Sequence, residues 1–200
     1  FVTSLLGTLA LVGTPFFSGF YSKDTIIEAA RHHAIEHADW VAQYANMAVL
    51  LGAFVTSFYS FRLLYLTFFG EERFRDAHAH EAHRLGAHAH GDHHDDHGQH
   101  GVHEPHESPW VVTLPLVLLA IPSVLVGFLT VGPMLFGTDM LGHEKQLPFF
   151  LGAIEVLKEN DVVAALAQEF HGPVAFALHG FKAPAFWLAL MGFLLATLLY

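Results

Sequence analysis

Apolar residues run almost unbroken through four stretches of the chain, and polar residues gather in the three segments between them. Phe1 to Ser22 carries no charge, nor does Trp40 to Phe61, and past Arg62 the apolar run resumes to Gly70. Ser108 to Thr138 is uncharged and punctuated by Pro109, Pro115, Pro122 and Pro133, and Ala183 to Tyr200 is uncharged throughout. A helix needs about 20 mostly apolar residues to cross hydrocarbon, so each stretch reads as a membrane crossing. The predicted fold class is all-α, a polytopic transmembrane helical bundle. Gly13, Pro15 and Gly19 break its first helix. The expected order is a broken transmembrane helix over 1–22, a loop or short helix over 23–39 and a crossing over 40–70. A His-rich loop follows over 71–107, then a crossing over 108–138. A loop with interfacial amphipathic segments over 139–182 leads to a last crossing over 183–200.

Composition narrows the function classes. Hydrophobic residues make up 53% of the 200 residues and charged ones only 14%, with 19 Phe against nine Lys plus Arg. Soluble domains run nearer 25% charged, which excludes an ordinary cytosolic enzyme. The formal net charge of −10 repels phosphate backbones, so nucleic acid is not a partner. With no Cys, the chain offers no thiolate zinc site and no iron–sulfur ligation. No initiator Met is present and apolar sequence stands at both ends, so the chain reads as an internal piece of a larger polytopic protein. Four crossings place both ends and the His-rich tract on one side. Basic residues occur on both sides, so the positive-inside rule does not fix the orientation.

The break in the first helix is the strongest chemical signal. Freed carbonyls are costly in hydrocarbon unless they face protein or a watery cavity, and Gly/Pro-interrupted membrane helices often mark ion pathways. A kinked packing helix is the structural alternative. Directly after the break come Lys23 and Asp24. An apolar surround disfavours the charged ammonium, and a neighbouring carboxylate can restore the charge or accept the proton. Against this, Lys23 can snorkel to the headgroups, and Thr25 with Glu28 matches a capping box opening the next helix. In the second crossing Gly52, Thr56 and Ser60 recur every four residues, a stripe that suits close helix packing. Arg62, about two turns inside Gly70, is a candidate for a polar axis or a snorkelling side chain.

Eleven His lie between His78 and His106, among seven acidic residues from Asp76 to Glu107 and four glycines. Pairs such as His78 and His80 could hold a borderline metal loosely. Without a fixed framework the expected role is a solvated loop, and no residue is assigned as a metal ligand.

The run Gly13-Thr14-Pro15-Phe16-Phe17-Ser18-Gly19-Phe20-Tyr21-Ser22-Lys23-Asp24 resembles the broken helix of the subunit L family of bacterial NADH-quinone oxidoreductase, respiratory complex I. Ala53 to Arg62 resembles the family's next helix, and His106 to Leu116 the start of the one after. The resemblance implies an antiporter-like, proton-translocating membrane-arm subunit, with Lys23 at the exit end of a hydrophilic axis and Asp24 as its carboxylate. The family's other relay residues would precede Phe1. The partners it implies are other complex I membrane-arm subunits and the bilayer of the bacterial inner membrane, with the His-rich side cytoplasmic. It also implies that NADH, FMN, iron–sulfur clusters and quinone sit on partner subunits, with no cofactor on this stretch.

The nearest alternative is the large subunit of a multisubunit sodium/proton antiporter, which shares the same core. A metal-ion transporter with a His-rich loop is more distant, because the four crossings contain no His. A purely structural anchor would need no broken helix.

Overall fold

A computed structural model describes residues 1–37, 39–71, 108–139, 143 and 161–200. Every regular element among them is a helix: α1 (Val2–Val12), α2 (Ser18–His37), α3 (Trp40–Phe68), α4 (Trp110–Val131), a π-helical turn (Gly132–Phe136), α5 (Val162–Glu169), α6 (Pro173–Gly180) and α7 (Pro184–Leu199). The chain is therefore an all-α membrane protein fold. α3 and the Trp110–Phe136 stretch are each long and apolar enough to cross a bilayer. α6 and α7 qualify together, as a pair bent by 58°. The His-rich tract and the expected amphipathic segments around Phe149 to Leu157 lie outside the described residues.

α3 is the spine, and three seams set the register of its neighbours. Phe1 packs edge-on against Phe68 and Phe69, with ring centroids 5.3 and 5.7 Å away, so α1 begins at the C-terminal end of α3. Gln43 Nε2 donates to the Ala34 carbonyl at 2.8 Å, which fixes the far end of α2 against the start of α3. α1 and α2 together thus run the length of α3 in the opposite direction. α7 lies parallel to α3, with Ser57 Oγ donating to the Ala189 carbonyl at 2.6 Å and Tyr65 Oη sharing a hydrogen bond of 2.9 Å with Thr197 Oγ1. This seam is close because both sides are small. A Cβ on Gly192 would stand 2.5 Å from the Phe54 carbonyl oxygen, and Ala185, Ala189 and Ala196 continue the stripe.

Two differences from the sequence reading concern this core. On α3 the buried small residues are Ala42, Ala53, Ser57 and Ser60, so of the expected stripe Ser60 is buried while Ala53 and Ser57, one step round, take the places of Gly52 and Thr56. Gly52 has nothing near its Cβ position, and Thr56 Oγ1 bonds back to the Gly52 carbonyl at 2.6 Å. The segment after Ser22, expected as a loop or short helix, belongs to a longer helix: α2 runs unbroken from Ser18 to His37. No capping box forms there. Thr25 lies inside the helix with its hydroxyl on the Tyr21 carbonyl at 2.6 Å, and Glu28 binds Arg31 instead. The signal for a cap was real as a spacing, but the helix had already begun two turns earlier.

α4 closes over the break between α1 and α2. Ser18 Oγ donates to the Pro122 carbonyl at 3.1 Å and accepts from the Gly127 N–H. Gly127 allows this approach, since a Cβ there would lie 2.6 Å from Ser18 Cα. Beneath, Phe20, Tyr21, Val131, Phe136, Phe170 and Ala177 form one apolar cluster. Val12, Phe61, Leu64, Ala189 and Ala196 form a second beside α3 and α7.

Candidate functional site

The site is built from the way α1 ends. Gly13 adopts a left-handed conformation (φ 85°), and its N–H donates to the Ala10 carbonyl at 3.2 Å while the Thr14 N–H donates to the Leu9 carbonyl at 3.0 Å. This pair of bonds is a Schellman motif, which satisfies two of the last carbonyls of α1. Pro15 cannot continue a helix, and Phe16 is held at φ 74°, where a bulky residue is rarely found. The chain re-enters a helix at Ser18. Gly19 permits that return, because a Cβ on it would collide with the Ala10 carbonyl oxygen.

Lys23 meets the end of α1 one turn into α2. Its Nζ donates to the Val12 carbonyl at 3.2 Å. The stem passes over Gly13, where a Cβ would be 3.1 Å from Lys23 Cδ. Gly13 is therefore required twice, for its conformation and for its lack of a side chain. A cation at the carbonyl end of a helix also meets the negative end of the macrodipole.

Asp24 lies beside it, only 4% exposed, and its Oδ2 is buried with no hydrogen-bond partner among the described residues. Both side chains line a cavity with about 20 Å³ of room for water centres. That is enough for roughly one water molecule, since a single water needs about 10–15 Å³ on this measure. Val12 and Gly13 form one wall of the cavity; Gly180, Ala185 and Phe186 form another, from the break between α6 and α7. Ala53 also lines it, and is the fourteenth of the 29 residues of α3. Lys23 and Asp24 thus lie level with the middle of the longest spanning helix, rather than at its end as a crossing over 1–22 implied.

Arg62 is elsewhere. It is exposed, with its guanidinium 5.3 Å from the centre of the Tyr200 ring, and it does not line the cavity. Lys23 and Asp24 are brought together; Arg62 is not brought to them. The sequence reading missed the second wall. Gly180 followed by Pro184, at the edge of an apolar run, was the available signal, and it repeats the Gly13-to-Pro15 pattern in looser form. A Cβ on Gly180 would run into the Phe20 ring, so this glycine lets the second break press against the first.

No family model matches the chain. Subunit L of NADH-quinone oxidoreductase from Neisseria meningitidis serogroup B is 42% identical over 200 residues, covering 100% of this chain and 27% of the relative. This chain belongs to the subunit L family of NADH-quinone oxidoreductases. NADH-quinone oxidoreductase subunit L from Mycobacterium tuberculosis is 40% identical over 127 residues, covering 64% of the chain and 16% of the relative. NADH-ubiquinone oxidoreductase chain 5 from Triticum aestivum is 32% identical over 183 residues, covering 88% and 22%. The chain spans about a quarter of the length of the curated family members it matches over its full extent. The Neisseria match takes in the Lys23 site, both breaks and the α3–α7 seam.

Proposed function

We propose that this chain is part of a proton-translocating membrane-arm subunit of an NADH:quinone oxidoreductase, and that Lys23 and Asp24 are its proton-transfer pair. The observation that carries the reading is a lysine at the mid-depth of a spanning bundle, in a cavity of one water, beside a buried carboxylate. Ionisable residues inside a membrane are costly and are kept for function. The break in the first helix gives the Lys23 amine an acceptor on Val12 that no continuous helix would leave free.

The transfer balances simply. The Lys23 ammonium gives one proton, directly or through a water in the cavity, to the Asp24 carboxylate; Lys23 becomes neutral and Asp24 a carboxylic acid. The neutral amine still has N–H groups to donate to Val12, so the side chain keeps its place through the cycle. Phe20 and Phe186 give the cavity apolar walls, and a drier surround strengthens the electrostatic interactions inside a site. The quinone and NADH chemistry belongs in this reading to partner subunits, as do FMN and the iron–sulfur clusters. The other membrane-arm subunits and the bacterial plasma membrane are its surroundings. The relatives' names favour this reading over a sodium/proton antiporter subunit.

The test uses the full-length subunit in its assembled complex, reconstituted in vesicles that report internal pH. Lys23→Ala lowers proton pumping and coupled NADH oxidation by at least about tenfold per assembled complex, a floor below the roughly 10²–10⁴-fold that one positioned acid–base group typically contributes. Wild-type pumping by the assembled Lys23→Ala complex overturns the assignment.

A further inference from the structure

Beyond Asp24, α2 carries a graded row of ionisable side chains toward the turn that joins it to α3. Asp24 is 4% exposed; the Glu28 side chain, one turn on, is 10% exposed. Arg31 and His32 follow at 49% and 37%, and Glu36 at 50%. Residues four apart on a helix face the same way, with Cβ atoms about 6 Å apart, so Asp24, Glu28, His32 and Glu36 form one stripe. Arg31 clasps Glu28 through a single oxygen. Nε and Nη2 lie 2.7 and 2.6 Å from Glu28 Oε2, and neither of these contacts goes to Oε1. At the outer end His32 Nδ1 lies 3.5 Å from Glu36 Oε2.

Charges near this path also come from other elements: Asp39 caps α3 at the turn, and α5, which packs against α2, has Asp161 at its start and Glu169 at its end. α3 has no charge from Trp40 to Phe61 and α7 none from Pro184 to Leu199, and His179 of α6 is exposed. α3 offers a polar group at the same level. The Gln43–Ala34 bond sets Asn46 opposite Arg31, and Asn46 Oδ1 is buried with no hydrogen-bond partner among the described residues.

We propose that Glu28 is a further proton carrier, taking the proton that Asp24 gives up and passing it toward the α2–α3 turn. This rests on Lys23 and Asp24 being the transfer pair. The Asp24 carboxylic acid loses its proton to the Glu28 carboxylate through an intervening water. Glu28, now a neutral acid, loosens its bond to Arg31 and releases the proton to the wetter end of the stripe. Arg31 is the positioning residue: it holds the empty carboxylate in place and returns to it when the proton leaves. The turn at this end of α2 is on the side opposite residues 70 and 71, so the stripe leads from mid-depth to one face only.

The experiment again uses the full-length subunit in assembled complex, with pumping normalised to complex on native gels. Glu28→Gln cuts pumping by at least about fivefold, and Glu28→Asp keeps at least about half, because a carboxylic acid is retained. The double variant Glu28→Gln with Arg31→Gln separates carrying from packing. It removes the cation left without its partner yet supplies no carrier, so it stays as low as Glu28→Gln. Recovery of wild-type pumping in the double variant, or wild-type pumping by Glu28→Gln, overturns the proposal. Should Glu28→Gln alone fail to assemble, the double variant decides. A complex that is blocked by Lys23→Ala but pumps freely without Glu28 sinks this proposal and leaves the function above intact. Wild-type pumping by Lys23→Ala sinks that function itself.

Discussion

Among the described residues two helices are broken, and each break carries a lysine, yet only one makes a polar site. Between α6 and α7 the freed groups are satisfied locally: the Lys182 N–H donates to the His179 carbonyl at 2.8 Å and the Ala183 N–H to the Gly180 carbonyl at 3.1 Å. The Lys182 side chain is left exposed. Between α1 and α2 backbone N–H groups reach the Leu9, Ala10, Thr14 and Phe17 carbonyls, and the Val12 carbonyl is taken by the Lys23 side chain from eleven residues on. A break, then, does not itself make an ion site. What matters is whether the turn consumes its own carbonyls or leaves one pointing into the bundle. The two breaks also depend on each other, since the backbone-closed one at Gly180 supplies the apolar wall behind the lysine-closed one.

The largest way to upset this arrangement is to force the breaks apart. Gly180→Leu places a side chain into the Phe20 ring, and overpacking of this kind costs typically about 1–3 kcal/mol. Phe20 is buried in the aromatic cluster and has no room to give. The amount of assembled complex on native gels should fall several-fold; wild-type levels would show that the contact between the breaks is dispensable. Gly13→Ala is smaller and more selective. A non-glycine residue in the left-handed region costs roughly 1–2 kcal/mol, and the added Cβ also crowds the Lys23 stem. Pumping should drop more than assembly does; an unchanged ratio of the two would mean that Gly13 serves packing alone. Lys182→Ala should do least. Its side chain is exposed and serves no carbonyl, so assembled complex should pump within about twofold of wild type, as exposed surface substitutions usually do. A defect as deep as that of Lys23→Ala would erase the distinction between the breaks.

Much of the bundle was legible because crossing a membrane demands long apolar runs, and those run lengths are written in the chain. The break at Gly13 and Pro15 was legible for a related reason: few other residues punctuate a helix so strongly. The extent of α2 was not. Lys23, Asp24, Glu28 and Arg31 make the segment look like a loop by composition, but burial against α3, α4 and the α6–α7 break keeps it helical through the bilayer region. The depth of Lys23 follows from that same packing, so no local pattern could supply it. The approach of Gly180 to Phe20 is a contact across more than 150 residues of sequence, visible only once α7 is laid along α3. Arg62 shows the reverse case. Its place in an apolar run suggested the axis, while its position on the α3 surface sends it to Tyr200.

Lys23 is held here to work by gaining and losing a proton, and one substitution addresses this directly. Lys23→Arg keeps a cation and N–H donors within reach of the Val12 carbonyl, so a lysine that merely caps α1 or snorkels would be replaced well. A guanidinium does not release its proton at working pH. In vesicles carrying the reconstituted complex, with internal pH followed by a dye and assembly normalised on native gels, Lys23→Arg should assemble normally and pump as poorly as Lys23→Ala. Full pumping by Lys23→Arg would contradict a titrating role, because it would show that a fixed charge suffices at this position.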